Sequence, residues 1–140
     1  MGDAPTNAER VRQAYARWAE SKGGDADGLL DLLDDNVAMR TALSASEQHP
    51  LAEPRMGKQF ARDYLESLAL SLTMIDYPTE DVIDGGDTVV WIGACHWRDR
   101  KSGREARTPK VDIWRFRNGK AVDVLEMFDT LGFARFNRMI

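Results

Sequence analysis

The hydrophobic period of this chain changes once, and that change orders its elements. Up to about residue 72 the apolar side chains recur at helical spacing. Val11, Ala14, Tyr15 and Trp18 fall at i, i+3, i+4 and i+7, one face of a helix. From Thr73 onward the period is two, the signature of strands. Helices first and a strand meander last predict an α+β domain with its helices on one face of an antiparallel sheet. At 140 residues the chain has room for one such domain, residues 1–140, and its core.

Local signals punctuate this order. Thr6 and Glu9 stand at capping-box spacing before the first helix, and Gly23-Gly24 ends it. A short second helix from about Asp27 buries Leu29, Leu30, Leu32 and Leu33. Asn36 to Thr41 reads as a short strand, and the stretch through His49, Pro50 and Pro54 as a loop. A third helix from about Gly57 to Leu72 sets Phe60, Tyr64 and Leu68 at i+4 steps. Four strands follow: Thr73–Val82, Thr88–Arg98, Glu105–Arg117 and Lys120–Phe128. Asn118-Gly119 joins the last two as a type I′ hairpin, whose central positions both need positive φ. Asp129 caps a short terminal helix. The strands carry apolar residues on both faces, so a second copy of the chain is expected over the outer sheet face.

Composition excludes several classes. A net charge of −4 with scattered basic residues leaves no footprint for nucleic acid or an anionic membrane. The run Arg98-Asp99-Arg100-Lys101 reads as a solvated loop. Met1 to Thr6 formally fits a myristoylation pattern, but no basic cluster supports it. There is no long apolar span and no signal-peptide core, and the single Cys95 fits a reducing, cytoplasmic setting. Cys95, between Trp91 and Trp97, reads as a buried structural thiol. Two histidines without clustered carboxylates make a metal site unexpected. No Gly-rich strand–helix loop or nucleophile elbow is present, so no cofactor is expected.

Polar groups on apolar faces are the candidates for chemistry. Asp112 shares a strand face with Lys110, Trp114 and Phe116; Glu126 shares one with Val122, Val124 and Phe128. A carboxylate so placed pairs, hydrogen-bonds or holds its proton, and the last suits a general acid or base. An uninterrupted hairpin through Asn118-Gly119 sets Asp112 opposite Leu125 and Glu126 opposite Val111, which sends the two carboxylates to different faces. A β-bulge, or one carboxylate on the outer face, reconciles this with the apolar pattern. Tyr15 is a hydrogen-bond donor on the buried face of the first helix. His96 is the histidine on a strand, and His49 lies in a loop. Trp18, Tyr64, Trp91 and Trp114 are candidate walls of a binding pocket, with Arg40 and Lys110 as its cations.

The run from Val111 to Asp129, with Asp112, the Gly119-Lys120 turn and Glu126 at its strand end, resembles the C-terminal signature of SnoaL-like proteins of the nuclear transport factor 2-like superfamily. The first helix, the Leu29–Val37 segment and Gly57 fit the same layout. The resemblance implies a cone: a curved antiparallel sheet against three N-terminal helices, with a short C-terminal helix and an apolar pocket. It further implies cofactor-independent acid–base chemistry of cyclase, isomerase or lyase type on an apolar carbonyl compound. Asp112 resembles the acid–base aspartate of the polyketide cyclases, with Tyr15 and His96 as helpers. Tyr15 also looks like the oxyanion donor of ketosteroid isomerases, but Val37, Ala38 and Met39 stand where their base is. Glu126 is similar in place to a last-strand aspartate of epoxide hydrolases, whose Arg-x-Asp pair is missing from Thr88 to Trp97. The rival expectation is a non-catalytic ligand-binding or dimeric scaffold domain, with Asp112 fully salt-bridged and no open cavity.

Overall fold

The computed structural model describes residues 3–43 and 55–140, so His49 lies outside the described residues. In chain order the elements are α1 (Asn7–Glu20), α2 (Asp27–Asp31), β1 (Leu33–Thr41), β2 (Arg55–Met56), α3 (Lys58–Ser71), β3 (Leu72–Asp76), β4 (Thr79–Gly85), β5 (Thr88–Asp99), β6 (Glu105–Arg117), β7 (Lys120–Phe128) and α4 (Thr130–Phe136). The capping box is present in full: the Glu9 amide donates to Thr6 Oγ1 at 3.1 Å, and the Thr6 amide to Glu9 Oε2 at 3.0 Å. Val11, Ala14, Tyr15 and Trp18 are buried on one face of α1.

The strands form one sheet in the order β2-β1-β7-β6-β5-β3, with β4 beside β3 on the same strand, β5. The fold is the expected α+β cone, with a curved and unclosed sheet. Three details depart from the sequence reading. The strand expected from Thr73 to Val82 breaks at Tyr77-Pro78 into β3 and β4, because proline offers no amide to the ladder. β1 begins earlier than expected and runs parallel to β7, so the sheet is mixed. β2, read as loop, is a two-residue strand too short to show any period.

The core lies on the concave face. Tyr15 stacks on Trp91 with centroids 4.2 Å apart and meets Trp114 edge-on at 6.0 Å. Trp18, Tyr77 and Trp97 extend the same aromatic layer. Such a layer supplies large buried area and directional ring contacts. Gly93 makes it possible, since a Cβ there would collide with the Pro78 carbonyl oxygen and the Trp91 indole. On the outer face Ile92, Val111, Ile113 and Leu125 are half-buried, while Ile83 and Met127 are exposed.

Candidate functional site

The register of the β6–β7 hairpin decides where the two carboxylates point. Near the turn, Arg117 pairs with Lys120 and Phe116 with Ala121. The register then shifts: Arg115 pairs with Asp123, and Asp112 lies directly opposite Glu126. Val122 is the additional residue, a β-bulge that flips the parity of β7. The inner face of β7 is therefore Ala121, Val124, Glu126 and Phe128, with Ala121 replacing Val122 in the expected set. Ala121 and Val124 are buried. This one residue brings both carboxylates to the concave face. Across the strands one row reads Trp91, Asp112, Glu126, and the next Gly93, Lys110, Phe128.

Asp112 is sealed, at 2% exposure. Lys110 Nζ donates to Asp112 Oδ2 at 2.7 Å and Oδ1 at 2.9 Å, and the Tyr15 hydroxyl donates to Oδ2. The Trp114 indole N–H in turn donates to the Tyr15 hydroxyl at 3.0 Å. Lys110 Nζ also lies over the rings of Tyr77 and Trp91, at 5.7 and 5.9 Å from their centroids. Burial disfavours the ammonium, but Asp112 and Glu126 outweigh it and hold the Lys110 pKa well above its ordinary value. Burial and the neighbouring Asp112 charge push the Tyr15 pKa well up, so Tyr15 stays a phenol and a donor.

Glu126 stands at the other end of the same cluster. One of its oxygens lies 3.9 Å from Lys110 Nζ, and its side chain is 14% exposed. Burial raises its pKa, the Lys110 cation pulls it back, and the Asp112 charge raises it again; the net shift is upward. It opens on a cleft bounded by Met39 and Thr41 of β1, Arg55 of β2, and Phe60 and Tyr64 of α3. Parallel pairing of Thr41 with Glu126 and Met39 with Val124 puts these β1 residues on the concave side. The cleft holds a free volume of about 10 Å³, room for a single water molecule. The Tyr64 pKa is raised by burial first and by Glu126 second, so its phenol remains protonated.

The remaining sequence candidates fall elsewhere. His96 points away from the core, and its Nε2 meets Glu105 at 2.8 Å. Arg40 borders the cleft, but its guanidinium makes two bonds to Asp123, at 2.8 and 2.9 Å, which raise its pKa. Trp18, Trp91 and Trp114 are core residues with at most 4% exposure, so the described cleft draws only Tyr64 from the expected aromatic walls. Met39, Thr41, Arg55 and Phe60 are not among the sequence candidates for the site, since they come together only where β1, the two-residue β2 and α3 meet. Among the described residues, no three His, Cys, Asp or Glu side chains group closely enough to hold a metal ion.

Comparison with known proteins follows the geometry. A search of curated proteins finds none that matches the chain. Among solved structures, an NTF2-like protein of unknown function from Burkholderia pseudomallei superposes with a TM-score of 0.77 at 23% identity, covering 94% of this chain and 97% of that one. A candidate isomerase from Rhodopseudomonas palustris gives 0.76 at 17% identity, over 99% and 100% of the two chains. A candidate polyketide cyclase from Pseudomonas putida gives 0.70 at 18% identity, over 94% and 98%. At these identities the likeness is one of fold. The model of the SnoaL-like domain matches residues 11–124, most of the chain. The chain therefore belongs to the SnoaL-like domain family.

Proposed function

We propose that this protein is a small-molecule enzyme that performs acid–base chemistry on an apolar carbonyl compound, with Glu126 as the proton-transfer group. One observation carries the reading: of the two facing carboxylates, Glu126 alone opens on the cleft, and its pKa is raised toward the range where a carboxyl both accepts and returns a proton. In the proposed step the Glu126 carboxylate takes a proton from the carbon next to a carbonyl. The electron pair of that C–H bond forms a carbon–carbon double bond to the carbonyl carbon, and the carbonyl π pair moves onto the oxygen, toward which the Tyr64 phenol donates. Glu126 then returns the proton to the same carbon or to its conjugated neighbour. Tyr64 suits this role because its hydroxyl makes no hydrogen bond among the described residues and its pKa stays high. Asp112 and Tyr15 become positioning residues that fix Lys110, whose charge moderates that of Glu126. Similarity in fold to a candidate isomerase and a candidate polyketide cyclase supports the reaction class.

A non-catalytic ligand-binding domain is the second reading, and two observations favour it. Asp112 is salt-bridged throughout, and the free volume is about 10 Å³, whereas pockets for small ligands run to roughly 300 Å³ or more. The catalytic reading therefore requires the cleft to widen when substrate enters. Exchange of α-protons in D2O separates the two readings. With 2-tetralone, 1-indanone and phenylacetone as probes, the enzyme should accelerate loss of the α-proton NMR signal by at least about 100-fold over buffer. Glu126→Gln should remove that acceleration. Buffer-level exchange with all three ketones, or undiminished exchange in Glu126→Gln, contradicts the proposal.

A further inference from the structure

Among the described residues, no carboxylate pairs with Arg55. Its Nε is buried and has no hydrogen-bond partner, and its guanidinium carbon stands 5.7 Å from the centroid of the Phe60 ring. Pairing with Met39 anchors the residue at the edge of β1, on the rim of the cleft that Glu126 shares. The other cations nearby are spent: Arg40 on Asp123, and Lys110 on Asp112 and Glu126. Arg55 is not among the groups that set the Glu126 titration, which are burial, Lys110 and Asp112. A buried N–H left without an acceptor costs about 1–3 kcal/mol, and the planar guanidinium fork matches a carboxylate better than any neutral acceptor.

We infer that Arg55 is the anion-recognising residue of the cleft, and that the substrate is an apolar carboxylate carrying its reactive carbonyl elsewhere in the molecule. The inference rests on the reading of this cleft as a ligand site and names the class of ligand it takes. The carboxylate occupies the Arg55 N–H groups, the apolar body lies against Phe60 and Tyr64, and the carbonyl reaches Glu126. The two rings stand nearly parallel, 9° apart with centroids separated by 6.4 Å.

Matched probes test this. Benzoate, phenylacetate and cinnamate are titrated against their primary amides, with binding read from the amide resonances of Met39 and Thr41 in 1H–15N NMR spectra. Each carboxylate should bind the protein at least about ten-fold more tightly than its amide, as expected for one charge-assisted pair. Arg55→Met keeps the alkyl stem over Phe60 and should bring the carboxylate down to the affinity of the amide. Arg55→Lys should keep part of the preference. Equal binding of acid and amide by the unmodified protein overturns the inference and leaves the cleft as a site for neutral ligands. A preference that survives Arg55→Met also overturns it. If no probe of either kind moves the Met39 and Thr41 resonances, the ligand-site reading itself fails and takes the inference with it.

Discussion

Two halves of one concave face place a carboxylate under opposite conditions. At the sealed half, Asp112 is surrounded by Tyr15, Trp91 and Trp114 and receives bonds from Lys110 and Tyr15. At the open half, Glu126 sits directly across the strand pair, with Lys110 Nζ at 3.9 Å and a cleft in front of it. The sealed carboxylate has its partners at hydrogen-bond distance; the open one is only partly compensated, and its pKa is raised above the ordinary glutamate value. On the proposed function, burial with an incomplete set of partners, rather than burial alone, marks the chemical group.

The largest expected effect breaks the sealed half. Lys110→Met removes the cation from two carboxylates at once and leaves Asp112 buried without its charge partner. The cost should be about 3–5 kcal/mol in equilibrium denaturant unfolding. A loss below about 1 kcal/mol would mean that water or rearrangement compensates Asp112 freely. Tyr15→Phe comes next, since it deletes a donor to a charged acceptor and strips the Trp114 indole of its acceptor. About 1.5–3 kcal/mol should be lost, with the turnover or exchange catalysed at Glu126 reduced less than in Glu126→Gln.

The open half should respond in the other direction. Folding raises the pKa of Glu126 above its ordinary value of 4.5, so the protonated form favours the folded state. That contribution is fully present below pH 4.5 and is lost as pH rises through the folded-state pKa. At neutral pH the folded protein carries the cost of an ionised, largely buried carboxylate. Glu126→Gln should therefore stabilise the protein at neutral pH by on the order of 1 kcal/mol, while abolishing α-proton exchange. The stability gain should shrink toward zero as pH falls below 4.5. Measuring unfolding free energy against pH for both proteins checks the sign, and a mutant less stable at neutral pH would place Glu126 with Asp112 as a structural group.

Much of the frame was legible in the chain. The capping box at Thr6, the apolar face through Tyr15 and Trp18, and the last three alternating strands are local signals, and each appears where local chemistry puts it. Family membership likewise followed from the run around Asn118-Gly119 and its flanking strands. The site was legible only to the level of its two carboxylates. Their common orientation depends on a bulge at Val122, and no propensity of valine announces an unpaired position. The division of labour between them depends on which other elements arrive: α1 delivers the Tyr15 hydroxyl to Asp112, while α3 and β2 deliver Tyr64 and Arg55 to the cleft. Those are tertiary facts. His96 and Arg40 show the converse, since polar residues that looked conspicuous in sequence find partners in Glu105 and Asp123.

The contrast between the two halves comes down to the ionisation of a single side chain. A carboxyl-detected 13C NMR titration of the folded protein, with the Glu126 resonance identified by its loss in Glu126→Gln, measures it directly. The account predicts that Glu126 titrates above 4.5 and that its midpoint moves further up when Lys110 is replaced by Met, because the cation that holds it down is gone. A Glu126 midpoint at or below 4.5 in the unmodified protein would contradict the account.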